Sequence, residues 1–548
     1  MAQDIVHERV LHTLLERSAA KYGSRTYLYY EEQKYSYEEF NRQANRVASA
    51  LQKLGVSKGD KVAVVMENCP EAVFIMFGLS KLGAVEVPIN IYHKGDIMTY
   101  MIDHSDSRVL LMHAHFIDRL ATVLTQTPKV ETVVVLEDDE EDARSSGVTM
   151  AGVKEEIASL GKQVLEWSGF IDNDGLYQPA EVIFSDPILI LYTSGTTGLS
   201  KGVLLPQNLL YSVPERFSDW VLEGQLNEND CIYNPMPLFH AHAWHAGVNL
   251  ALLKGASTVL KKRFSATSNW EDIKRFHCTY TTGSGVINSI LCLAEPKPDD
   301  GDNPLKAVLG GPSSDELCRE FEPRFGAKLR EFYGSTELAA PTMNTLSVFK
   351  AGSCGPKHPD YDIKIVDEAG VELGVNMPGE ILVRPKKPYT MMLEYYKMPD
   401  KTVEAWRDVW FHTGDCGYFD EEGFLLFSDR KKDSLRRRGE NISSFEVERV
   451  INSHPAVMES AIIGVPSVFG DDEVMLCLAL KQGRSIVPED LIAFCEERMA
   501  YFMVPRYIRF MDELPKNVML RVEKFKLRDE GITPDTWDRE QAGYKLAR

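Results

Sequence analysis

The chain is short of several things that would define other protein classes. Its nine cysteines, Cys69, Cys231, Cys278, Cys292, Cys318, Cys354, Cys416, Cys477 and Cys495, are scattered over 548 residues and form no C-x-x-C pair. That argues against a disulfide framework or a thiolate metal knuckle and predicts reduced thiols in a cytoplasmic protein. Basic residues are in deficit, 61 Lys and Arg against 81 Asp and Glu, for a formal net charge of -20. Such a field opposes nonspecific attraction to nucleic acid or anionic membrane, so no nucleic-acid partner is expected. No apolar run approaches the roughly 20 residues that cross a bilayer; the most apolar stretch, residues 72–87, is interrupted by Gly78, Lys81 and Gly83. Near the N-terminus Val10, Leu11, Leu14 and Leu15 fall at helical spacing among charges, the pattern of a surface-packed helix and not of a secretory signal.

What is present is a globular composition, 44% hydrophobic and 26% charged, in a chain too long for one ordinary core. Short apolar strands are expected at 61–66, 84–88, 108–111 and 131–136, with a helix at 71–82. This alternation signals layered α/β structure around a largely parallel sheet. The acidic tract EDDEEDARSS at 137–146 has no apolar periodicity and reads as a solvated loop. Alternation resumes at 188–192, 258–261, 279–282 and 306–310, and a β-rich stretch begins near Ser353. Beyond Asp429 a charge run leads into helices at 445–453 and 488–499 and strands at 457–464, 473–480 and around Ile508. The expected fold class is α/β: a large composite N-terminal domain, residues 1–431, of layered α/β subdomains plus a β-rich subdomain, and a small α+β C-terminal domain, residues 432–548.

Residues 188–202 read ILILYTSGTTGLSKG. An apolar strand enters a run of glycine and hydroxylic residues, whose backbone N–H groups can converge on an anion, and Lys201 adds a positive charge. The spacing is not that of the Walker P-loop; by composition alone a polar loop after a core strand competes evenly with a polyphosphate cradle. Thr193, Ser194, Gly195, Thr196, Thr197, Gly198, Lys201 and Gly202 closely resemble the nucleotide-binding signature of the adenylate-forming ligase superfamily of acyl-CoA and aryl-CoA synthetases. Ser200 stands where proline is common in that signature.

Further motifs follow in the family's order. Leu238, Phe239 and His240 resemble the segment beside the acyl pocket, and Gly310, Gly311 and Pro312 the turn lining the adenine site. Tyr333, Gly334, Ser335, Thr336 and Glu337 match the YGxTE motif. The resemblance implies that Tyr333 stacks near adenine, Thr336 contacts phosphate and Glu337 holds Mg²⁺. It assigns the ribose hydroxyls to Asp415, with Arg430 joining it at the domain junction. It places a hinge at Lys432, about which a mobile C-terminal domain takes one orientation for adenylation and another for thioester formation. Arg436, Arg437, Arg438, Gly439, Glu440 and Asn441 match the loop that swings to the active site in the second step. A basic cluster there suits the phosphates of coenzyme A. The sequence RRRGENIS looks most like the subset of these ligases that includes bacterial crotonobetaine/carnitine-CoA ligase.

One motif is discordant. The family's Gly-Lys pair, whose lysine serves adenylation, corresponds here to Leu520 and Arg521; arginine keeps the charge on a wider, planar group, and Arg521 is expected to substitute. The acyl pocket is expected to draw on His240, Trp244, Gly283 and Gly285. Trp244 is either a cap for a short acyl chain, a face for a quaternary ammonium, or ordinary packing. The activity implied is ATP-dependent ligation of a short, medium or modified carboxylic acid to coenzyme A, with ATP, Mg²⁺ and CoA as cofactors. Loading of a separate carrier protein and nucleotide binding without catalysis are the alternatives. A homodimer is expected on general prevalence alone.

Overall fold

The computed structural model describes residues 2–193, 199–311, 313–430, 434–468, 470–516 and 522–546. Two mostly parallel sheets form the large domain. In the eight-stranded sheet the order is Glu394–Tyr395, Lys201–Pro206, Pro187–Thr193, Val85–Pro88, Lys61–Val65, Val109–His113, Thr132–Leu136 and Gln163–Glu166. Only Lys201–Pro206 runs against the others, antiparallel to both of its neighbours. The seven-stranded sheet is built likewise from Lys328–Arg330, Ala307–Leu309, Tyr280–Thr282, Cys231–Asn234, Ser257–Leu260, Thr26–Tyr30 and Gln33–Ser36. Helices Tyr37–Lys53 and Pro70–Leu82 pack on each other, the first against Thr26–Tyr30 and the second against Val85–Pro88, so they join the two sheets into one core. Strands covered on both faces need unbroken apolar sequence, which is why every residue of Val109–His113 and Thr132–Leu136 is buried.

The β-rich part is a four-stranded antiparallel sheet, Tyr361–Val366, Gly379–Pro385, Phe411–Phe419 and Leu425–Arg430. The small C-terminal α+β unit has its own sheet, Val457–Pro466, Asp472–Leu480, Tyr507–Phe510 and Trp537–Asp538, with helices Ser444–Asn452, Pro488–Glu496 and Lys524–Glu530. A separate hairpin, Ser434–Arg437 with Glu440–Ser443, turns through Arg438 (φ 54°) and Gly439 (φ 85°). Two successive left-handed residues make the tight turn that matches strand twist.

The acidic tract departs from expectation. Glu140–Ser146 is a helix, capped by Asp139, whose carboxylate accepts from the Asp142 amide at 2.9 Å. Glu140, Glu141 and Asp142 occupy the first turn, where negative charge offsets the helix dipole. The helix buries no side chain, so it has no apolar face for periodicity to reveal.

None of the nine cysteines forms a disulfide; eight are buried and Cys416 is partly so. No helix among the described residues is long and apolar enough to cross a membrane.

Burial holds several imidazoles neutral, among them His113 and His242, lowered to about 4, and His245, lowered to about 3. Each folded value lies below the ordinary imidazole value of about 6.5, so the unfolded chain binds more protons between those limits and stability falls as pH drops through 6.5 toward 4. At pH 5 each group is expected to cost roughly 1–2 kcal/mol. A melting-temperature profile from pH 7.5 to 5 checks this, and a flat profile would contradict it.

Candidate active site

Strands Pro187–Thr193 and Lys201–Pro206 form a hairpin in which Thr193 pairs with Lys201. The five-residue stretch Ser194–Gly198 at its tip lies outside the described residues. Strand Glu394–Tyr395 adds to the free edge of Lys201–Pro206, with Tyr395 opposite Val203. Alternation along the strand puts Lys201 and Val203 on one face, so the Tyr395 ring meets the Lys201 ammonium, whose Nζ is 4.1 Å from the ring centroid.

The Tyr395 hydroxyl donates to Glu337 Oε1 at 2.9 Å, and the Ser335 hydroxyl to Glu337 Oε2 at 2.8 Å. Burial, with the Glu337 carboxylate beside it, pushes the Tyr395 phenol far up, so it stays a donor. Ser335, Thr336 and Glu337 lie at the end of the hairpin Phe332–Ser335 with Ala339–Met343. That hairpin admits only glycine at 334, where a Cβ would sit 1.8 Å from the Ala339 carbonyl oxygen. The Tyr333 hydroxyl donates to Asp415 Oδ2 at 2.8 Å. Asp415 pairs across the sheet with Arg430 through the backbone.

These groups border one cavity of about 1000 Å³. Thr193, Lys201, Thr336, Glu337 and Asp415 line it, together with Gly310, Gly311, Gly283, Ser284 and the imidazoles of His240, His242 and His245. Gly310 has φ +140°, and a Cβ there would lie 2.0 Å from the Gly283 carbonyl oxygen. Gly310→Ala is therefore expected to destabilise by about 1–3 kcal/mol and to abolish protection by ATP, as thermal melting with and without the nucleotide would show.

The sequence profile of AMP-binding enzymes matches residues 15–396, and that of the AMP-binding enzyme C-terminal domain matches 446–518. The chain belongs to the AMP-binding enzyme family. It is an AMP-forming acid–thiol ligase of the acyl-CoA synthetase superfamily. A crotonobetaine/carnitine–CoA ligase from Proteus mirabilis is 30% identical over 543 residues, covering 96% of this chain and 100% of that protein; one from Citrobacter koseri is 29% identical over 547 residues with the same coverage. Among solved structures, o-succinylbenzoate CoA synthetase from Bacillus subtilis superposes with TM-score 0.79 at 24% identity, covering 94% of this chain and 98% of that one. An amide bond synthetase from Marinactinospora thermotolerans gives 0.80 at 22%, covering 94% and 99%. These structures share the fold.

In this AMP-binding enzyme the small domain seats its hairpin on the cavity, which Arg436 and Gly439 line. Glu440 reaches His240 Nε2 at 3.1 Å and accepts from Asn90 Nδ2 at 3.3 Å. Burial alone would raise the Glu440 carboxyl, but His240, His93 and Arg436 outweigh it and hold it below the usual carboxylate range. A second contact involves Ser200: its amide donates to Glu446 Oε1 at 2.9 Å, and its hydroxyl donates to the same oxygen. Proline at 200 would supply neither donor.

Three expectations need correction. Arg437 does not face the cavity. It is 1% exposed; its guanidinium pairs with Glu473 at 2.7 Å and donates to the carbonyls of Phe502 and Val504, so its charge is consumed inside the small domain. Trp244 is fully buried and donates from Nε1 to the Leu238 carbonyl at 2.6 Å, which makes it packing and not a cap. Gly285 opens the helix Gly285–Leu293 and does not border the cavity, unlike Gly283. Arg438 sits at the hairpin turn. Lys432, Pro312, Leu520 and Arg521 lie outside the described residues, as does the Arg430 side chain.

The residues that sequence reasoning missed are Tyr395, Glu446, and His242 and His245, which border the cavity. Among the described residues one other cluster, Glu67, His115 and Asp142, has metal-ligand spacing. The Lys262 ammonium already sits there, in contact with Asp142 and 3.2 Å from Glu67, so the carboxylates have their cation.

Proposed function

We propose that this AMP-binding enzyme is an ATP-dependent carboxylate–CoA ligase acting on a short, medium or modified acid. The observation that carries the reading is convergence: Lys201, Thr336, Glu337, Asp415 and the hairpin turn all border one cavity. ATP would lie with its ribose at Asp415, whose Oδ2 is held by Tyr333, and its phosphates beside Thr193, Lys201 and Thr336. Lys201 and Arg521 would stabilise the charge developing on the α-phosphoryl group.

Both Glu337 oxygens keep acceptor capacity beside their single hydrogen bonds, and one carboxylate suffices for a magnesium ion that shares phosphate oxygens. The residues therefore fit Mg²⁺; bound there, it would neutralise phosphate charge. An acid carboxylate oxygen attacks the α-phosphorus and pyrophosphate leaves. The thiol then attacks the acyl carbon, forming the thioester and releasing AMP. Enclosure under the hairpin limits hydrolysis of the adenylate. The hairpin's position supports reading this orientation of the small domain as the thioester-forming one, with rotation about Lys432 restoring the other.

The test is a panel of carboxylic acids assayed together for acid-dependent pyrophosphate release and for acyl-CoA by mass. Both products from one acid class support the ligase. Pyrophosphate without thioester would point to a carrier-protein acceptor, and nucleotide binding with neither product to a noncatalytic role. Reduced thiols and the acidic charge support a cytoplasmic setting.

A further inference from the structure

Arg216 ends the helix Gln207–Arg216, one turn after Val213 and next to Phe217. Val213 and Phe217 both border the cavity, so Arg216 flanks the helix face turned toward it. Its side chain is 3% exposed, and Nε, Nη1 and Nη2 are all buried without a hydrogen-bond partner among the described residues. No ion pair compensates it among those residues. The guanidinium carbon lies 5.1 Å from the centroid of the Tyr361 ring, and the charge also acts on the neutral imidazoles of His245 and His358. An arginine is a permanent cation, and burying one without an anion is costly enough that native structures nearly always supply a partner.

The cavity wall nearest this charge is also unsatisfied. His245 borders the cavity at 5% exposure with Nδ1 buried and unpartnered, and His242 leaves Nε2 in the same state. Arg216 helps burial keep His245 neutral. A neutral imidazole can still donate one hydrogen bond, and the positive potential behind it favours an anion as the acceptor. The same potential repels a quaternary ammonium, and the buried Trp244 offers such a cation no face.

We infer that the acyl end of the cavity selects acids carrying a second anionic group, short dicarboxylic acids above all, whose distal carboxylate would meet His245 with the Arg216 guanidinium behind it. This rests on the carboxylate-activating reading above and names its substrate class.

The experiment compares kcat/KM for pyrophosphate release with succinic, glutaric and adipic acids against butyric, valeric and hexanoic acids. It adds 4-(trimethylammonio)butyrate, benzoate and a long-chain fatty acid. The expected result is a preference for diacids of about tenfold or more, the scale of one hydrogen bond to a charged group. Arg216→Met should collapse that ratio mainly through KM, and Arg216→Lys should restore part of it. Equal use of diacids and monoacids, or preference for a cationic, aromatic or long-chain acid, overturns the inference and leaves the ligase standing. If no acid releases pyrophosphate, the ligase reading falls and the inference with it. Should Arg216→Met fail to fold, the wild-type ratio alone decides.

Discussion

Replacing Lys201 by alanine is expected to lower acid-dependent pyrophosphate release by about 10²- to 10³-fold, the cost of losing one preorganised group at a developing charge. The residue is well suited to the role because its position is over-determined. It starts a strand paired on one side with Pro187–Thr193 and on the other with Glu394–Tyr395, and its ammonium rests on the Tyr395 ring. The positive charge is thus held in the cavity wall with little freedom left to lose on binding. Arg521→Ala should produce a loss of similar kind. If pyrophosphate release survives Arg521→Ala while Lys201→Ala abolishes it, the substitution of arginine for the usual lysine has no part in adenylation. If both variants release pyrophosphate at the wild-type rate, the phosphate end of the cavity has been misread.

Ser200→Pro is expected to separate the two half-reactions. It removes both donors to Glu446 and leaves that carboxylate without them at a buried contact, which costs about 1–3 kcal/mol and so shifts the seated orientation of the small domain by roughly 5- to 150-fold. Acyl-CoA formation should fall by that factor, and by more than pyrophosphate release does. The check is to measure the two products separately, with preformed acyl-adenylate for the second step. Equal losses in both steps would mean that Ser200 serves only the phosphate loop. Glu446→Ala approaches the same contact from the other side and should show the same asymmetry.

Lys201, Glu337 and Asp415 were legible because each sits in a short motif whose order along the chain matched a family. The layered strands were legible because parallel strands buried on both faces must be continuously apolar. Tyr395 was not, since nothing local marks it: its importance arises when a two-residue strand from a distant segment joins the edge of the sheet. Arg216 reads in sequence as an ordinary helix-end charge, and only burial without a partner makes it unusual. Arg437 was misplaced because a run of three arginines resembles a ligand patch; strand alternation turns the middle one inward to Glu473. The acidic helix went unseen because capping and charge stabilise it where periodicity is silent.

The burial of the cysteines bears on the fate of the activated acid. An acyl-adenylate acylates any accessible thiolate. Burial pushes the thiols of Cys292, Cys318, Cys477 and Cys495 up to about 12, and drives Cys354 upward too, with Glu331 reinforcing the effect. These groups remain protonated and out of reach, so the enzyme offers its own intermediate few competing nucleophiles, and an incoming pantetheine thiol meets little rivalry from the protein that prepared its electrophile.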